Sequence, residues 1–112
     1  MNLDELVQSI PDDESTLRTD LAHWVEEWKQ GTDSIDKLSY MIGKWHSNVW
    51  FKDTEASNAF GERFRRFRIE SIEKIDSMTV NEKLFSFGLF PQWDAANDLE
   101  KIKIRERLQV HA

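Results

Sequence analysis

Apolar residues recur along this chain at helical spacing. Leu3, Leu6, Val7 and Ile10 follow an i, i+3, i+4, i+7 pattern that stops at Pro11, which predicts a short amphipathic docking helix. After an acidic turn over 11–14, the segment Ser15–Gln30 places Leu17, Leu21, Trp24, Val25 and Trp28 on one stripe, with Ser15 as N-cap and Gly31 as the stop. Thr32, Asp33 and Ser34 offer the next cap, and Ile35, Leu38, Met41, Ile42, Trp45 and Val49 continue a helical stripe. So short a link predicts an antiparallel hairpin with the two stripes face to face. The consecutive apolar run Val49, Trp50, Phe51 fits either the buried end of that helix or a short extended piece.

Over 54–75 the positions Phe60, Phe64, Phe67, Ser71 or Ile72, and Ile75 fit one long fourth helix, with Gly61 as its weak point. Thr79 and Glu82 form a T-x-x-E capping box before Leu84, Phe85 and Phe87, and Gly88 supplies a stop, so a short fifth helix is predicted over Val80–Phe87. Pro91 opens a sixth, lined by Trp93, Ala96, Leu99 and Ile102. Over 100–110, Ile102, Ile104, Leu108 and Val110 alternate with polar residues as a strand would, but no second segment offers a pairing partner, and helix is the better reading. The predicted fold is all-α: a bundle of about five to six helices, one domain over 1–112, with an N-terminal helical hairpin and room for a short extended piece near the C-terminus.

Composition agrees with a packed core. A chain of 112 residues with five Trp and seven Phe can bury about two thirds of its unfolded surface without disulfide or metal. With no Cys, disulfides, zinc ribbons and thiol nucleophiles are excluded. The four glycines stand apart, so neither a P-loop nor a dinucleotide fingerprint is present, and no cofactor is expected. The absence of a long apolar run or a basic leader leads us to expect a cytoplasmic chain without a membrane span.

Charge changes the picture more. Residues 1–36 carry ten acids against Arg18 and Lys29, a net of −8, while residues 37–112 carry eleven acids against thirteen bases. An acidic surface repels nucleic acid and anionic lipid and accelerates encounter with basic proteins. The competing reading is that the acids serve solubility alone.

The candidate chemistry is sparse. His23, His46 and His111 form no zinc pattern, so no metal is expected. His23 lies a helical turn from both Asp20 and Glu27, an arrangement that could orient an imidazole for proton transfer, but no nucleophile accompanies it. Glu26 and Glu27 diverge on a helix and make no hydrolase dyad, while Asp12, Asp13 and Glu14 suit a helix lead-in. The run Arg63, Phe64, Arg65, Arg66, Phe67, Arg68 interleaves cations with aromatics as nucleic-acid binders do, yet its phenylalanines fall at core spacing and Glu62, Glu70 and Glu73 stand ready to pair with the arginines. Trp50 and Trp93, near element boundaries, are the tryptophans best placed to face a partner.

These readings converge on a small acidic module, monomeric or a small homo-oligomer, that binds and neutralises a basic, nucleic-acid-handling protein, as an immunity protein, antitoxin or phage-encoded inhibitor does. The residues expected to carry this are Asp12, Asp13, Glu14, Asp20, Glu27, Asp33 and Asp36. Two alternatives stand beside it: a nucleic-acid-associated regulator using Arg63 to Arg68, and a small hydrolase-like enzyme using His23 or His46.

Overall fold

The chain enters its first helix through a capping box. The Asn2 side chain accepts the Glu5 N–H at 2.8 Å, and the Glu5 carboxylate accepts the Asn2 N–H at 2.9 Å. In the computed structural model, which describes residues 1–108, this helix, α1 (Leu3–Gln8), is the first of seven α-helices, and no strand occurs among the described residues. Helix α1 packs against α2 (Ser15–Gln30), α4 (Thr54–Phe67) and α5 (Val80–Phe87), and buries Leu3, Leu6 and Val7, with Ile10 just beyond its end. The first apolar stripe is therefore the central peg of the core.

A 3-10 turn over Asp12–Glu14 runs directly into α2. The chain is already turning when the helix begins, so Ser15 is the first helical residue and not the cap expected of it. Gly31 ends α2 in an extended conformation (φ −91°, ψ −159°) and the chain passes at once into α3 (Ile35–Ser47). The two helices form the predicted hairpin, packing through Leu21, Val25 and Trp28 against Ile35, Leu38 and Ile42. Trp24 departs from expectation: it falls on the flank of the buried line and is 43 % exposed.

Residues 49–51 are neither helix nor strand. Phe51 stacks on Phe60 at 5.5 Å while Trp50 is 90 % exposed. The Glu14 carboxylate, buried, accepts the Lys52 N–H at 2.6 Å and straps this loop to the turn before α2. Helix α4 passes through Gly61 without interruption and buries Phe60, Phe64 and Phe67. It then widens into a π-helical turn over Arg68–Glu73 and ends in a 3-10 turn over Ile75–Ser77. The wider i→i+5 turn suits the four-residue spacing of Phe67, Ser71 and Ile75, which stay on the buried side.

The Thr79/Glu82 capping box of α5 is formed as predicted, and Gly88 closes the helix in the left-handed region (φ 66°). The expected sixth helix is instead two. Helix α6 (Phe90–Asp94) stops, and Asn97 and Glu100 form a third capping box that starts α7 (Asp98–Arg107). Leu99 and Ile102 are consequently exposed, and Ile104 and Leu108 are the buried positions. The strand-like alternation is helical as far as it is described; Val110 and His111 lie outside the described residues.

Basic side chains complete several helix C-termini from a distance. The last four carbonyls of any α-helix lack partners within it and carry partial negative charge. At the end of α2, the Arg107 guanidinium donates to the Trp28 and Lys29 carbonyls and, at 2.8 Å, to that of Asp33, while lying 4.5 Å from the Trp28 ring. After α1, Arg63 donates to Ser9 O at 3.0 Å and Arg18 to Ile10 O at 2.5 Å. At the end of α7, the buried Lys83 ammonium donates to Leu108 O at 3.1 Å. Burial lowers the pKa of both Arg107 and Lys83, and the carboxylates of Asp33 and Asp76 respectively oppose the shift.

Gly88 sits against another of these internal bases. Lys29 Nζ contacts Asp4 at 2.5 Å, and a Cβ on Gly88 would lie 2.3 Å from Asp4 Oδ2 and 2.7 Å from Lys29 Nζ. Gly88→Ala should therefore lower stability by about 2 kcal/mol or more, combining left-handed backbone strain with a displaced ion pair. Gly61→Ala meets nothing within 4 Å and should stabilise by roughly 0.5–1 kcal/mol, as Ala for Gly does inside a helix. Urea unfolding midpoints of the two variants check both signs.

Candidate functional site

The α2–α3 hairpin carries an open groove along its outer side. One hollow of about 490 Å³ runs over Trp24, Tyr40, Met41, Trp45 and Val49, and a second of about 480 Å³ continues it past Met41 toward the turn. The floor is apolar and aromatic, with Trp24 43 % and Tyr40 63 % exposed. Asp20 and Glu27 stand on the α2 side and Lys37 and Lys44 on the α3 side. No ion pair crosses the groove among the described residues.

The seven acids expected to meet a partner divide into groups. Asp20 and Glu27 share the groove with Asp33, whose side chain lies near the turn. Asp36 is exposed in the first turn of α3. Asp12 and Asp13 lie at the other end of α2, where Asp12 pairs with Arg18 at 2.6 Å and Asp13 is exposed. Glu14 is buried and bonded to the Lys52 N–H, so its carboxylate is withdrawn from the surface. Glu26, exposed on α2, joins the acidic surface in its place.

Both basic residues of the first 36 are engaged locally: Arg18 donates to Ile10 O and pairs with the exposed Asp12, and the buried Lys29 pairs with the half-exposed Asp4. The exposed surface of α2 therefore carries Asp20, Glu26 and Glu27 without an intervening cation of its own. Periodicity could have revealed the other groove residues: Tyr40 falls off the buried line Ile35, Leu38, Ile42, and Lys37 and Lys44 repeat at two helical turns.

The arginine run does not act as a unit. Arg63 reaches Ser9 O, and Arg68 donates to the Ser39 carbonyl and hydroxyl at 3.1 Å while lying 5.2 Å from the Phe64 ring. Only Arg65 and Arg66 of the four are exposed. The pairing expected with Glu62, Glu70 and Glu73 is not formed among the described residues, because two of the arginines turn to backbone and hydroxyl oxygens instead. Trp93 is covered by Lys101 and Arg105 at 5.3 and 5.6 Å, whereas Trp50 stands free.

His23 and Glu27 approach to 3.2 Å on an open helix face, with more than half of each side chain in water. Asp20 does not join them in an ion pair. His46 lies between α3 and α4, stacked on Phe64 at 4.6 Å. Among the described residues no three His, Asp or Glu side chains converge as metal ligands, and no helix is long and apolar enough to cross a membrane. Compared with protein families, with curated proteins and with solved structures, the chain matches none.

Burial, and secondarily the Arg68 guanidinium, lowers the pKa of His46 below its usual 6.5. Folding thus favours the neutral ring. The associated stability is complete above pH 6.5 and is lost as pH falls through the lower folded value. Urea midpoints taken downward from pH 8 should show this loss, and His46→Gln should flatten the slope between about pH 6.5 and the folded value. An unchanged slope in the variant would assign the loss to other groups.

Proposed function

We propose that this chain is a protein-binding module that recognises a basic, nucleic-acid-handling protein and neutralises or regulates it, as an immunity protein, antitoxin or phage-encoded inhibitor does. The observation that carries the reading is that the two basic residues of the first 36 are engaged by Asp12 and Asp4, which leaves Asp13, Asp20, Glu26, Glu27, Asp33 and Asp36 exposed with no Lys or Arg of that segment paired to them. Asp13, Glu26 and Asp36 are exposed outside the groove and are the contacts proposed for long-range attraction. Fields from such clusters raise association rates and fade with salt, because the screening length is about 10 Å at 0.1 M. Arg65 and Arg66, the exposed remainder of the arginine run, carry too little charge to hold the alternative nucleic-acid reading on equal terms.

The test begins with capture of the partner on the immobilised chain and its identification by mass spectrometry. The retained protein should be basic. Replacing Asp13, Glu26 and Asp36 together by Lys should slow association roughly tenfold or more and flatten its dependence on salt. The double variant Arg65→Glu, Arg66→Glu should bind as the parent does. Loss of binding in the arginine variant with retention in the acidic one would move the interface to α4 and overturn the proposal.

A further inference from the structure

We propose that the α2–α3 groove is a self-association surface in which two copies of this chain close into a symmetric four-helix bundle. This goes beyond the reading above and uses different charges. A uniformly basic protein does not suit the groove, because Lys37 and Lys44 line one of its sides. What suits it is a surface that offers acids to those lysines and lysines to Asp20 and Glu27.

The groove itself has that pattern. On α2, Asp20 and Glu27 are seven residues apart, and on α3, Lys37 and Lys44 are seven residues apart, so each pair spans about 10.5 Å along its helix. The helices run antiparallel out of the turn at 31–34, and counting outward from it brings Glu27 nearly level with Lys37 and Asp20 nearly level with Lys44. Glu27 and Lys37 line the hollow near the turn, and Asp20 and Lys44 line the one that extends to the far end, where Lys37 also contributes. Within one chain these charges do not pair.

A twofold axis lying along the groove turns each copy's α2 onto the other's α3 without changing its level. Asp20 of each copy then meets Lys44 of the other, and Glu27 meets Lys37, so both sides are matched in register. The same operation brings the exposed Trp24 and Tyr40 of both copies, with Met41, into the space between the hairpins. Closed twofold pairing is the commonest form of homo-oligomer, and four helices packed nearly antiparallel are a standard solution for covering such a stripe. Asp13, Glu26 and Asp36 are not groove residues and would remain available to a basic protein.

The experiment is sedimentation equilibrium on the full chain and three charge variants, each checked for helicity by circular dichroism. The parent should show a concentration-dependent species of twice 13.3 kDa. Asp20→Lys with Glu27→Lys should raise the dimer Kd at least roughly tenfold, as should Lys37→Glu with Lys44→Glu, because matched pairs become like-charge contacts. An equimolar mixture of those two variants should dimerise again. If either double variant fails to fold, the fourfold exchange of all these charges restores matched sides and should pair with itself but not with the parent. A parent that stays monomeric, or folded variants that dimerise as the parent does, would overturn the proposal. Neither outcome touches the acidic contacts outside the groove.

Discussion

An α-helix ends with carbonyls that its own backbone does not satisfy, and at the ends of α1, α2 and α7 basic side chains from elsewhere in the chain supply the donors. Arg107, at the end of the described chain, places its guanidinium on the final carbonyls of α2 and on Asp33 O within the turn. A cation there meets both the hydrogen-bonding need and the negative end of the helix dipole, and the Trp28 face adds a further electrostatic contact. One side chain thus holds α2, the turn and α7 in a single arrangement. The hairpin that bears the groove is fixed from behind by this contact.

The same arrangement shapes the surface. Arg63, Arg68, Lys83 and Arg107 direct their charged groups to backbone or hydroxyl oxygens within the fold, while Arg18 and Lys29 are paired with Asp12 and Asp4. Most acids remain exposed, with Glu14 the buried exception. The exterior is therefore more acidic in character than a net charge of −6 conveys. Where cations do reach the surface near the hairpin, as Lys37 and Lys44 do, they face acids across an apolar floor. Acids and lysines on opposite sides of the groove, and acids alone on the hairpin outside it, point to two kinds of contact, one with a second copy and one with a basic partner.

Much of the fold was legible because periodicity and caps agreed. The stripe of α1, the stripes of α2 and α3 apart from Trp24 and Val49, the Phe60, Phe64, Phe67 face of α4, and the Thr79 capping box with Gly88 after α5 form as their spacing predicts. The split between α6 and α7 was legible too, in Asn97 and Glu100, but the apolar residues Leu99 and Ile102 suggested continuity where the cap broke it. The π turn was not, since a four-residue spacing can be read as a drifting α-helix until its packing is known. The site was less visible. The acidic excess was plain in the composition, but the inward turn of Glu14, the exposure of Trp24 and the loss of Arg63 and Arg68 to the interior depend on partners 29 to 54 residues away or on neighbouring helices.

The claim that distant cations complete the helix ends and so fix the hairpin is tested most directly by hydrogen exchange on Arg107→Met, which keeps an apolar stem over Trp28 and removes the donors. The amides of residues 31–38 should lose protection beyond the change seen across α4, with global stability lower by about 2–4 kcal/mol, as expected when buried carbonyls lose a charged donor. An exchange pattern and unfolding midpoint equal to those of the parent would contradict the account.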